Sequence, residues 1–273
     1  MKARKLLTTI LALSLVLATP VALSGCGGGG NTLKVGVKSD VIGFGFKDPA
    51  TGEFSGMEID LAYLLADALG YDGVEFTAVT AATRTELLDS GDLDCVLATF
   101  TITEERKKNW DFSTPYFTDA VTVLVETASG IQNLNDLVGM TIGVSTGSTS
   151  AFALVSAMSA ADLFPGYTVP ASSADFTIST FNQQGTTFQE FGDYPAISNA
   201  LAAGTVDAFC VDRSILYTYL SDTRSFINES FAPQQYGVAT RQGSELSAPI
   251  EELIVKWLED GTIDRLISEN HLG

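Results

Sequence analysis

The run from Thr32 to Thr99 does most to fix the fold. TLKVGVKS alternates apolar and polar residues, as a half-buried strand does. GMEIDLAYLLADALG, Gly56 to Gly70, has apolar residues at helical spacing and a closing glycine. VEFTAV is a second strand pattern. TRTELLDSG is a short helix opened by a capping box, Thr83 with Glu86, and DCVLAT is a third strand. Strands alternating with helices imply an α/β fold with a largely parallel sheet.

AVTVLVE, Ala120 to Glu126, is a long apolar strand, and the pattern then restarts. TIGVSTG, DAFCVD and QQYGVAT read as strands. STSAFALVSAM, YPAISNALAAG, RSILYTYL, ELSAPIEELIVKWLED and TIDRLISEN read as helices. Residues 160 to 192 show no period and stay unassigned. An internal echo accompanies the restart. When LDSGDLDCVLAT is laid on LAAGTVDAFCVD, Leu88 meets Leu201, Gly91 meets Gly204, Leu93 meets Val206 and Asp94 meets Asp207. Two similarly built lobes are expected.

The first residues are of another kind. Lys2, Arg4 and Lys5 precede a mostly apolar run, residues 6 to 23, and then small residues and Cys26: the order of a secretory signal peptide. LSGC, Leu23 to Cys26, resembles the bacterial lipobox, whose cysteine is lipidated, and two acyl chains suffice for stable anchoring. Gly27 to Gly30 read as a flexible tether. Without the signal, 12 Lys and Arg face 33 Asp and Glu, a charge of about −21. That argues against nucleic acid as a partner and suits an exported monomer kept apart from its neighbours by charge. Cys95 and Cys210 lie in buried-strand contexts and read as unpaired core thiols. One histidine, His271, and no Cys-x-x-Cys exclude a structural zinc site. No metal and no cofactor are expected.

Ligands of open α/β sheets sit beyond the carboxyl ends of strands, where Thr99, Thr101, Arg106 and Asp212 fall. In ATFTITEERKKNWDFSTPY, Thr103 reads as a helix N-cap. Arg106 then stands in the first turn, where a cation is disfavoured by ~0.3–1 kcal/mol. Arginine and helix N-terminus both suit one external anion. GSTS, Gly147 to Ser150, opens another helix, and Asp212 suits an ammonium. A carboxylate beside an ammonium describes an amino acid.

These stretches resemble the bacterial family 3 extracellular solute-binding proteins, the amino-acid receptors of ABC importers. GMEIDLAYLLADALG looks like the family signature and ATFTITEERKKNWDFSTPY its second hallmark. GSTS, VDAFCVD and QQYGVATRQGS follow in the right order. The resemblance implies a periplasmic-binding-protein type II fold: a signal peptide over 1–25, a lipidated cysteine and tether over 26–32, a first lobe over 33–118 and 236–273, and a second over 119–235. Two hinge strands would join them near Tyr116–Ala120 and Pro233–Gly237. It implies that Arg106 holds the ligand α-carboxylate with Thr101 and Thr149, that Thr99 and Asp212 meet the α-ammonium, and that Phe44 walls the ligand. Lys38 and Arg84 resemble positions that are basic in the glutamate and aspartate receptors, so an acidic ligand is expected, with glutamine its nearest competitor. The expected product is a lipid-anchored extracytoplasmic receptor that closes on its ligand and delivers it to a membrane permease.

An enzyme is the competing class. GVSTG matches G-x-S-x-G, and Ser145, Asp212 and His271 follow in hydrolase order. Some enzymes on the solute-binding fold are dehydratases. The motif is weak and His271 is near the chain end, so the expectation is a receptor.

Overall fold

A computed structural model describes residues 31–272. The signal segment 1–25, Cys26 and the glycine run lie outside the described residues. The first strand, Thr32–Val37, sits at the centre of the sequence's opening alternation: it pairs in parallel with Gly73–Ala78 on one side and Cys95–Leu97 on the other. Ala239–Arg241 and Trp110–Phe112 complete this first sheet in antiparallel sense. A second sheet has the order Thr187–Phe191, Thr141–Ser145, Ala208–Asp212, Phe117–Glu126, Arg224–Phe226. Its first three strands are parallel, and the long Phe117–Glu126 strand is antiparallel to the third.

Helix α1, Met57–Leu69, turns Met57, Ile59, Leu61, Ala62, Leu65 and Ala66 inward, and Gly70 ends it in the left-handed conformation. Each large apolar side chain so buried contributes ~1.5–3 kcal/mol before entropy. Its first amides have no intrahelical partner. Instead, Met57 and Glu58 donate to the carbonyls of Gly43 and Phe44. A Cβ on Gly56 would come within 2.3 Å of the Phe44 oxygen, so only glycine fits there. Helices α2 (Arg84–Ser90), α3 (Ser150–Ala160), α4 (Tyr194–Ala202), α5 (Arg213–Leu216), α6 (Ser247–Glu259) and α7 (Thr262–Glu269) follow the periodicity read from the sequence.

The echo has a physical cause. Asp94 exchanges two bonds with Lys34, its carboxylate accepting from that N–H at 2.9 Å and its own N–H donating to that carbonyl at 2.8 Å. Asp207 does the same with Thr141, both at 2.8 Å. Each aspartate starts its strand by fastening it to its neighbour. The two segments expected as hinges lie side by side, Tyr236 opposite Phe117 and Pro233 opposite Ala120.

Three expectations are corrected and one open segment is filled. QQYGVAT is not one strand: Phe231–Tyr236 ends beside the long strand of the second sheet and Ala239–Arg241 belongs to the first. Thr103 opens no α-helix, only a single 3₁₀ turn, Arg106–Lys108, with the Thr103 hydroxyl accepting from the Arg106 N–H at 3.1 Å. Thr83 forms no capping box: its hydroxyl accepts from the Thr80 N–H at 3.0 Å instead. Residues 160–192, unassigned from sequence, contain the edge strand Thr187–Phe191 and an aromatic cluster of Phe164, Tyr167, Phe176, Phe181 and Phe188. Rings packed in a loop-rich segment need no regular spacing, which is why no period appears. Cys95 and Cys210 are free and buried, as read.

Candidate functional site between the sheets

Beyond the carboxyl end of Cys95–Leu97 the chain runs through Ala98–Thr101, and two arginines converge on it. Arg84, the first residue of α2, is buried and donates to the Ala98 carbonyl at 2.8 Å. Arg106, half-buried, donates to the Thr101 carbonyl at 2.7 Å and, across the cleft, to the Gly147 carbonyl at 3.1 Å. Phe100 lies beneath both guanidiniums, 3.8 Å from Arg84 and 4.7 Å from Arg106. Neither arginine has an acidic partner within ion-pair distance among the described residues, and the Arg84 Nε has no hydrogen-bond partner. Burial, and for Arg106 repulsion from Arg84 as well, pulls both below the ordinary guanidinium range. Both stay charged at neutral pH.

The facing wall carries the opposite sign. Asp212 ends its strand at the start of α5, yet its side chain does not cap that helix. Its Oδ2 accepts from the Tyr236 hydroxyl at 2.5 Å. Burial pushes this carboxyl up to about 7, helped by repulsion from Asp119 and opposed by the Tyr236 bond and the charges of Arg106 and Arg84. Tyr194, first residue of α4, and Ser148–Ser150 at the start of α3 complete the wall. The walls touch at Gly147, where a Cβ would come within 2.8 Å of the Ala81 carbonyl. Thr101 and Thr149, one from each wall, both donate to Gln234 Oε1, at 2.8 and 2.9 Å.

Together Arg84, Thr99, Thr101, Arg106, Thr149 and Asp212 line one small, tightly closed polar cavity of about 10 Å³. Two expected residues are not in it. Phe44 is fully buried, edge-on to Phe117 and Tyr236 at 5.0 and 5.7 Å, because its backbone serves as the cap of α1. Lys38 is buried beside the cavity, paired with Asp40 at 3.1 Å and lying over the Tyr194 ring at 4.5 Å. Tyr194, Phe100 and Gln234 were not singled out from sequence. Tyr194 and Gln234 meet the site through residues 85 or more positions away, and Phe100 reads as one more apolar residue at a strand end, so no local pattern marks them. The hydrolase arrangement is absent. Asp212 lines this cavity, whereas His271 lines a larger one of about 720 Å³ with Asp119, Ser214 and Tyr217.

Comparisons with known proteins identify the family of the chain. The sequence profile of the bacterial extracellular solute-binding proteins, family 3, matches residues 33–272. The ABC transporter glutamine-binding protein GlnH of Bacillus subtilis is 32% identical over 85% of this chain and 78% of its own length. The glutamine-binding protein of Geobacillus stearothermophilus is 34% identical over 76% and 72%. The solved structure of an ancestral arginine-binding protein bound to arginine superposes with a TM-score of 0.72 at 31% identity, over 88% of this chain and 97% of that one. All three are amino-acid-binding proteins by name, the first of an ABC transporter, and the chain belongs to the bacterial extracellular solute-binding proteins, family 3.

Proposed function

We propose that this protein is the receptor of an ABC importer, that it captures an acidic amino acid, glutamate or aspartate, and that its lobes close about the paired strands to present the ligand to a membrane permease. The single observation carrying the choice of ligand is Arg84: a buried guanidinium at the cavity with no acid partner and a free Nε. Arg106, Thr101 and Thr149 take the α-carboxylate in this reading. Thr99 and Asp212 take the α-ammonium, which leaves Arg84 for the side-chain carboxylate. A charge-assisted bond of that kind contributes ~1.5–3 kcal/mol where water is excluded.

A second reading, glutamine, has its own support. Two of the relatives above are glutamine-binding proteins. Lys38, which would favour an acid, is already neutralised by Asp40 and does not line the cavity. Competition among glutamate, aspartate, glutamine and arginine decides between them. Under the acidic reading, Arg84→Ala collapses the preference for glutamate toward glutamine. Tight arginine binding by the wild type ends both. The lipid anchor on Cys26 rests on LSGC alone, and membrane fractionation of Cys26→Ser against wild type tests it.

A further inference from the structure

Glu58 is the third residue of GMEIDLAYLLADALG and has no role in the function above. It is fully buried at the start of α1. A first-turn acid suits the helix dipole, but the dipole does not require burial, and an ionised carboxyl removed from water is costly. Lys38 and Arg84 are the cations whose charge reaches it, and neither is within ion-pair distance. Instead, Oε1 accepts two bonds, from the Thr99 N–H at 2.6 Å and from the Tyr116 hydroxyl at 2.6 Å.

The first of these donors has an unusual backbone. Thr99 is at φ +44°, and a β-branched residue in the left-handed region is an outlier. Such conformers persist only where their surroundings over-determine them, and they gather at ligand sites. Glycine would take this φ without help but would bring no hydroxyl. The Thr99 Oγ1 is buried, unpartnered and at the cavity. The second donor, Tyr116, immediately precedes the long strand and gives its own N–H to the Tyr236 carbonyl at 2.9 Å. One carboxyl oxygen therefore joins the ligand loop to the strands that connect the sheets.

We propose that Glu58 is a positioning residue, which holds Thr99 in its left-handed conformation from behind and ties that conformation to the connecting strands through Tyr116. The inference rests on Thr99 as an ammonium contact, and it gives the acid of the signature helix a task in binding rather than in folding.

Double-mutant titrations test it on the full-length protein. Glu58→Met and Glu58→Gln are made in the wild-type and Thr99→Gly backgrounds, and L-glutamate and L-glutamine are titrated by calorimetry. In the wild-type background, Glu58→Met weakens the amino acid that binds by roughly tenfold, the cost of an orphaned buried donor. In the Thr99→Gly background the loss shrinks to about twofold or less, because glycine adopts the loop conformation unaided. Glu58→Gln, which keeps an acceptor, falls between. Equal losses in both backgrounds overturn the proposal and leave Glu58 a core residue that acts by general destabilisation.

A second readout needs neither ligand nor Glu58→Met. Burial lifts the Glu58 carboxyl to about 7, against the Tyr116 and Thr99 bonds and the charges of Lys38 and Arg84. The Thr99 amide resonance therefore titrates near neutral pH in the wild type, and measured in an Asp212→Asn background, which removes the other carboxyl near 7 at this cavity, it is flat in Glu58→Gln. A Thr99 amide indifferent to both pH and the variant also overturns the proposal. If the wild type binds neither amino acid, the choice of ligand made above fails by itself and this titration still decides Glu58.

Discussion

The two walls of the cavity are built alike and charged oppositely. Each lies beyond the end of a buried strand that an aspartate fastens to its neighbour, Asp94 in one sheet and Asp207 in the other. The first wall then presents Arg84 and Arg106, anchored to backbone carbonyls over Phe100. The second presents Asp212, anchored to a tyrosine hydroxyl. Neither wall balances its own charge. Bringing them together without a partner buries unpaired ions, which is expensive, whereas a zwitterion between them satisfies both. The difference teaches what a ligand has to bring under the proposed function: a group of each sign, one for each wall.

Removing one of the two cations of the first wall is the strongest way to break this comparison. Arg106→Ala loses one partner of a desolvated charge pair, ~2–5 kcal/mol, and calorimetry should find binding abolished while thermal unfolding stays cooperative. Arg106→Lys also weakens binding, because lysine lacks the two-pronged fork. Wild-type affinity in either variant would remove Arg106 from the site. On the second wall, Asp212→Asn should cost ~1.5–3 kcal/mol, the scale of a hydrogen bond to a charged group. Glutarate, which lacks the ammonium, sharpens the test. The amino acid must lose affinity in Asp212→Asn and glutarate must not.

How much of this was readable in the chain follows from how local each feature is. The main helices, the buried central strands and the aspartate echo were legible because periodicity and a short repeat report burial directly, whereas the short or edge strands Trp110–Phe112, Thr187–Phe191 and Arg224–Phe226 were not. That Thr99, Thr101, Thr149 and Asp212 line one cavity was legible because they sit at strand ends or a helix start, and Arg106 joins them although the helix expected at Thr103 is only a 3₁₀ turn. What was lost is tertiary. Glu58 reads as a first-turn acid, and only a bond to Thr99, 41 positions on, explains its burial. Phe44 reads as a cleft aromatic, but the cap of α1 turns it into the core. The capping box at Thr83 failed because a nearer donor, the Thr80 N–H, takes the hydroxyl.

The walls should also separate on titration. The ammonium needs an ionised Asp212, whose carboxyl stands at about 7 without ligand. Affinity should therefore fall by up to about tenfold per unit as pH drops below 7, with a proton released on binding in that range. Stability has the opposite sign. Asp212 and Glu58 are both raised above their unfolded values, so the stability they contribute is fully present below the ordinary carboxylate range and is lost as pH rises through about 7. Between pH 5 and 8, affinity should rise while this contribution to stability declines. Calorimetry and thermal unfolding on the same samples would show whether the two trends cross. Parallel trends would separate Asp212 from ligand binding.

The smallest expected effect isolates how the second wall keeps its charge. The Tyr236 hydroxyl donates to Asp212 Oδ2 and lies 3.4 Å from Asp119 Oδ2, so it stands between two acids that repel each other. That bond favours the ionised form of Asp212. Tyr236→Phe removes the donor and keeps the ring, including its contacts with Phe44 and Phe117. A bond to a charged group at the low end of its range is worth about 1.5 kcal/mol, and one pH unit corresponds to 1.36 kcal/mol, so the Asp212 carboxyl should rise by roughly one unit more. Binding should weaken by up to about tenfold near pH 6.5 and match the wild type by pH 9, where Asp212 is ionised in both proteins. The whole affinity profile moves toward alkaline pH with its plateau intact. A uniform loss at every pH would mean instead that Tyr236 acts through packing beside the connecting strands, and the charge of the second wall would have to be held some other way.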